Sequence, residues 1–222
     1  MDPNSVDAFF NLVNDYNTIV GSTGLSGDFT SFTHTEYDVE KISHLWNQKK
    51  GDFVGTNCRI NSYCLLKNSV TIPKLEKNDQ LLFLDNDAID KGNVFDSQDK
   101  EEFDILFSRV PTEATTDVKV HAEKMEKFFS QFQFNEKARM LPVVLHDNLD
   151  GEFLFVGHVG VLVPADDGFL FVEKLTFEEP YQAIKFASKE DCYKYLGTKY
   201  ADYTGDGLAK PFIMDNDKWV NL

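Results

Sequence analysis

"LPVVLHDNLDGEFLFVGHVGVLVPADDGFLFVEKLTF" (Leu141–Phe177) sets runs of β-branched, leucine and aromatic residues between two polar breaks, at 147–151 and 164–168. Breaks of that chemistry between apolar runs are turns, so the stretch predicts two successive hairpins and three antiparallel strands. The middle run is apolar on both faces, as expected of a central strand. Downstream, "YQAIKF" (Tyr181–Phe186) predicts a strand that extends the sheet. Ser188 with Asp191 resembles a capping box and predicts a helix over about 189–200. The tail "AKPFIMDNDKW" (Ala209–Trp219) shows no clear period.

Upstream of Leu141 the apolar period becomes helical. Ser5 is positioned to cap a helix whose inward residues are Val6, Phe9, Phe10, Val13, Tyr16 and Val20. "GSTGLSGDFTSFT" (21–33) is long for a connection and reads equally as a lid or as a mobile segment. Further helices are predicted over 38–48 (Val39, Ile42, Leu45 and Trp46 inward), 58–68, 98–109 and 117–132. The acidic stretch 78–100 reads as irregular. It lacks the EF-hand spacing, since counting from Asp85 puts Ile89 at the fifth position and Asp90 at the sixth. Helices first and a meander second, with no repeat and no Pro/Gly-rich linker, predict an α+β fold in a single domain over 1–222.

Lys and Arg number 22 against 37 Asp and Glu, giving a formal charge of −15 without any basic stripe. That excludes nucleic acid as a partner, because phosphate binding needs clustered cations, and it disfavours anionic membranes. No apolar run is long enough to span a bilayer, and the N-terminus lacks the pattern of a signal peptide. Cys58, Cys64 and Cys192 make no disulfide framework. On one helix Cys58 and Cys64 stand about 9 Å apart, beyond bridging range. Zinc-type ligand spacing is absent, so neither a metal nor another cofactor is expected.

"GTNCRINSYC" (Gly55–Cys64) places Cys58 at a helix start, with Thr56 or Asn57 as the cap. Helix N-termini lower thiol pKa values and offer N–H groups to an oxyanion, so Cys58 is a candidate nucleophile. Of His34, His44, His121, His146 and His158, it is His158 that has a carboxylate set across the second hairpin, on a strand otherwise apolar on that face. A turn centred between 165 and 166 would put it opposite Glu173, with Cβ atoms about 5 Å apart. His146 lies opposite about Glu152, about 20 Å further along the strand, too far to share the site. His121 reads as a buried structural histidine. Gly157 and Gly160 leave room beside His158 for a substrate or another backbone. Cys58, His158 and Glu173 thus form a candidate catalytic triad. The residues alone also allow an inert buried Cys58, a sheet-edge His158 and a solvent-facing Glu173.

The stretches "GTNCRINS", "FVGHVGVLVP" and "FVEKLTFEEPYQAIKF", with "HDNLDG" and "AKPFIMDND", resemble a family of Firmicutes lipoproteins known as domain of unknown function 4300. The likeness runs from about Phe9 to Trp219. It implies an exported, extracellular protein, lipid-anchored to the membrane in its full-length form, and it brings no established activity. A fainter resemblance is to the NlpC-type, papain-like cysteine peptidases and amidases, which share the order of a Cys at a helix start, a His opening a strand and a polar residue on the next strand. Asn-Cys-Arg-Ile replaces their usual Asp-Cys-Ser-Gly, and helices fill the long gap to His158. Asn57 and Arg59 are accordingly candidates for binding an oxyanion or anionic group of the substrate, Asn57 equally for capping. The expectation is a papain-like thiol hydrolase cleaving an amide or an ester, its substrate a peptide, a cell-wall peptide or a small molecule. The alternatives are a non-catalytic extracellular lipoprotein that binds a ligand or wall component, and an acidic metal-binding module.

Overall fold

A computed structural model describes residues 1–26, 28–31 and 36–222. Residues 27, 32 and 33 of the long connection and His34 lie outside the described residues. The first half holds α1 (Pro3–Val20), α2 (Val39–Lys50), α3 (Cys58–Leu66), α4 (Phe83–Gly92), α5 (Ser97–Leu106) and α6 (Val118–Phe129), with two-residue strands β1 (Val70–Thr71), β2 (Val110–Pro111) and β3 (Gln133–Phe134). The second half holds β4 (Arg139–Asp147), β5 (Phe153–Ala165), β6 (Gly168–Lys174), β7 (Tyr181–Phe186), α7 (Lys189–Lys199), β8 (Phe212–Asp215) and β9 (Lys218–Val220). The class is α+β, helical first and sheet second.

Local chemistry moves several expected boundaries. α1 is capped by Asp2, whose carboxylate accepts the Ser5 N–H at 2.9 Å, and Pro3 occupies the first turn. Ser5 is therefore inside the helix, and Phe10, expected inward, is exposed. In α2, Ile42 and Trp46 are buried while Val39 is exposed. The acidic stretch 78–100 is not irregular. Asn93 ends α4 with a left-handed φ of 47°, and Asp96 caps α5 through the Gln98 and Asp99 N–H groups. The tail forms the β8–β9 hairpin, turned at Asn216 with φ 55°. Asn216 Oδ1 accepts the Met140 N–H at 2.8 Å and anchors the turn on β4.

The main sheet runs β7-β6-β5-β4-β8-β9, antiparallel throughout, with β2 also paired to β5. One face packs α3 through Ile60, Tyr63 and Cys64 against Val156, Val159 and Val161. The other face packs α7 through Cys192, Tyr193 and Leu196 against Val143, Leu162 and Phe171.

The β4–β5 register shifts by one between Val143↔His158 and Val144↔Val156, which makes Gly157 the extra residue of a bulge. Leu154 and Val156 before it, and Val159 and Val161 after it, all lie in the α3-side core. The bulge thus turns His158 to the opposite side, with its partner Val143 and with Leu162. Gly157 is half-buried in the wall of a cleft, whereas Gly160 is buried against the backbone of β6, with Val172 O 2.9 Å from where a Cβ would sit. A Cβ on Gly157 would sit 2.3 Å from Leu145 Cδ1, and one on Gly160 would sit 2.3 Å from Phe171 Cζ.

Candidate active site

One edge of β5 pairs with β4 along its length. The other pairs with β2 at residues 153–154 and with β6 from Val161 onward. Between those two partners α3 docks. Arg59 Nη1 donates to Val156 O at 2.9 Å, and Ser62 Oγ donates to Val159 O at 3.2 Å. Strand backbone and helix start are thereby held in one register, with the thiol against the bulge.

The start of α3 is built by Asn57 and Asp85. Asn57 is extended, and its Oδ1 accepts the Ile60 N–H at 3.1 Å. Its Nδ2 donates to Asp85 Oδ1 at 2.8 Å. Arg59 meets the same carboxylate as a fork, Nε to Oδ1 at 2.8 Å and Nη2 to Oδ2 at 2.6 Å. The side chains of Asn57 and Arg59, considered above for substrate binding, are engaged in holding the start of the helix that carries Cys58.

Cys58, His158 and Glu173 are brought together. They are 6%, 2% and 1% exposed, so their charges interact with little screening by water. His158 Nε2 lies 2.5 Å from Glu173 Oε2, which leaves Nδ1 to serve the thiol. Glu173 Oε1 accepts the Tyr195 hydroxyl at 2.8 Å and Lys199 Nζ at 3.2 Å. The Tyr200 ring stacks on the imidazole, with centroids 4.9 Å apart. Tyr195 and Lys199 sit one turn apart on α7 and so share the side that lines the cleft, a spacing visible in the sequence. Asp85 had no such signal, being one acid among many.

The electrostatics favour a thiolate–imidazolium pair. Burial alone would raise the Cys58 pKa. The adjacent His158 imidazolium outweighs it, helped by Arg59 and the Val159 N–H, and the thiol falls below its usual value. For His158 burial acts downward, but the Cys58 thiolate and the Glu173 carboxylate lift it to about 9. Glu173 would be raised by burial and is instead lowered by His158, Lys199 and Tyr195. By contrast burial pushes the Cys64 thiol up to about 11 and raises Cys192 as well.

The remaining histidines have other partners. His121 is buried, as expected, between Thr112 Oγ1 (2.6 Å) and Thr115 O (2.8 Å). His146 pairs with Glu152 at 2.7 Å and accepts the Ala209 N–H. His44 is exposed on α2, 2.9 Å from Gln48.

A cleft of about 990 Å³ opens beside His158, with Gly157 and His158 in its wall alongside Leu175, Thr176, Glu179 and Tyr195. Among the described residues no group of three or more His, Cys, Asp or Glu is placed to hold a metal ion. None of their helices is long and apolar enough to cross a membrane. No curated protein and no solved structure matches the chain. Residues 1–220 match the family described as Domain of unknown function (DUF4300), and the chain belongs to that family.

Proposed function

We propose that the protein is a papain-like thiol hydrolase that cleaves an amide, in a peptide or cell-wall peptide, or an ester. The observation that carries this reading is the buried grouping at the N-terminus of α3, in which His158 is bonded to Glu173 at 2.5 Å and Cys58 and His158 each shift the other's ionisation. A nucleophile on a helix packed against an antiparallel sheet, with base and orienter on successive strands, supports the NlpC-like resemblance. The extracellular, lipid-anchored location implied by the lipoprotein resemblance belongs to the same proposal.

The Cys58 thiolate attacks the carbonyl carbon and forms the C–S bond. Negative charge moves to the carbonyl oxygen, facing the Cys58 and Arg59 N–H groups at the start of the helix. His158 gives its proton to the leaving amine or alkoxide as that bond breaks. Water then attacks the thioester, His158 takes a proton from it, and the thiolate departs with the acid released. Glu173 holds the tautomer with Nε2 protonated, so that Nδ1 faces the sulfur.

The near-complete burial of Cys58 and His158, with Tyr200 stacked over the ring, favours a second reading, a non-catalytic lipoprotein that binds a ligand in the cleft. Two measurements separate them: iodoacetamide labelling of each cysteine at pH 6, and release of 4-nitrophenol from 4-nitrophenyl acetate. The hydrolase reading expects fast, selective labelling of Cys58, slowed in His158→Ala, and turnover lost in Cys58→Ser. Equal, slow labelling of all three thiols would sink it.

A further inference from the structure

Lys174 follows the triad glutamate directly, is 1% exposed, and makes no ion pair with a carboxylate among the described residues. Its ammonium donates to Thr176 O at 2.8 Å, to Phe177 O at 3.2 Å and to Glu179 O. Three donors meet three acceptors, which satisfies the group completely. The charge also lies over the Tyr16 ring at 4.2 Å and the Tyr181 ring at 5.3 Å. Burial still brings its pKa down to about 7, countered in part by Glu178, Glu179 and Cys58.

The same turn is closed by other bonds. Tyr16 OH donates to Glu178 O at 2.6 Å, and the Leu175 N–H donates to Pro180 O at 3.2 Å. Every carbonyl from Thr176 to Pro180 therefore has a donor, three of the five from one ammonium. Outwardly, Leu175, Thr176 and Glu179 form part of the cleft wall beside His158. The turn also abuts the lead-in to Cys58. Gly55 has φ 91°, and a Cβ there would lie 3.2 Å from Trp46 Cζ2 and 3.4 Å from Phe177 O.

We propose that Lys174 is a positioning residue, whose caged ammonium gathers the 175–180 turn into the wall that faces the substrate and braces the segment entering Cys58. Its bearing on chemistry rests on the thiol-hydrolase reading, whereas the clasp itself does not. A helix dipole or a bulk apolar contact would serve poorly here, because loop carbonyls point inward and only a multivalent donor can satisfy them together.

Amide hydrogen exchange on the intact protein tests the clasp, read at Leu175 and at Glu179, whose N–H is bonded to Thr176 Oγ1 at 3.0 Å. Lys174→Met keeps the length and removes the donors. The expected result is exchange faster by about tenfold or more at those two amides, with amides of β4 and β5 unchanged. Lys174→Gln keeps part of the donor set and should give a smaller rise at the same two amides, and it decides the matter if Lys174→Met does not fold. Iodoacetamide labelling of Cys58 should slow about threefold or more in Lys174→Met while Cys64 is unaffected. Exchange at Leu175 and Glu179 unchanged within twofold, or accelerated evenly across the sheet, overturns the clasp. A Cys58 already unreactive in the unsubstituted protein overturns the hydrolase reading instead, and the exchange rates at Leu175 and Glu179 still decide the clasp.

Discussion

His158 and Glu173 are bonded at 2.5 Å along a diagonal of the β5–β6 ladder, not across an opposed pair. Pairing runs from Val161↔Val172 to Ala165↔Gly168, and that register extended would face Glu173 with Gly160. The Phe171 ring occupies the space over Gly160, and the carboxylate reaches past it to the imidazole.

That diagonal makes Glu173 replaceable in shape but not in charge. Glu173→Gln should keep the fold and lower the His158 pKa, leaving fewer thiolates at pH 6. Labelling of Cys58 at that pH is expected to slow by about tenfold. A rate equal to that of the unsubstituted protein would mean that the carboxylate does not hold the pair.

The pH dependence follows from signs. The Cys58 pKa is depressed, so its thiolate survives as pH falls through the range where an ordinary thiol, about 0.3% ionised at pH 6, is spent. Cys64, pushed to about 11, should label far more slowly at pH 6. The His158 pKa is raised to about 9, so its proton is present below that value and lost above it. Ester turnover limited by that proton should decline above about pH 9, while labelling of the thiolate does not. Rate–pH profiles of both reactions check this.

Asp85 is fully buried and carries both Asn57 and Arg59. Asp85→Ala leaves the guanidinium unpaired and should cost about 3–5 kcal/mol. Urea unfolding gives the stability, and a parallel loss of selective Cys58 labelling shows that the helix start has shifted.

Gly160→Ala places a Cβ 2.9 Å from Val172 O as well as against Phe171, and backbone cannot give way as a side chain does. A loss of about 1–3 kcal/mol is expected. Gly157→Ala meets Leu145 alone and should be partly relieved by Leu145→Ala, which Gly160→Ala should not be. Thermal unfolding of the two single variants and both doubles measures this.

The order of elements and the meander were legible because period and turn chemistry are local. The grouping of Cys58, His158 and Glu173 was legible for a more fragile reason. Hairpin symmetry set His158 opposite Glu173, and the actual register differs by two residues, which preserves the face of a strand. An error of one would have separated them. The bulge at Gly157 left no trace in the pattern, since a glycine between apolar residues reads equally as a plain strand position. Ser5 carries a capping side chain as good as that of Asp2, although Pro3 favours the earlier cap. Asp85 and Lys174 were illegible in principle. Their roles depend on contacts with Arg59 and with a turn's carbonyls, and a charged residue buried by its partners looks like any other charge in a sequence.

Docking α3 into the edge of β5 has a further consequence, for solubility. Val156 and Val159 present backbone groups that no neighbouring strand takes on that side, and the helix covers them. Detached, the same stretch becomes an apolar open edge of the kind that recruits other chains. Variants that unseat α3, such as Arg59→Ala or Asp85→Ala, should therefore accumulate as aggregates, so that the fastening which holds Cys58 against the bulge also keeps one molecule from pairing with the next.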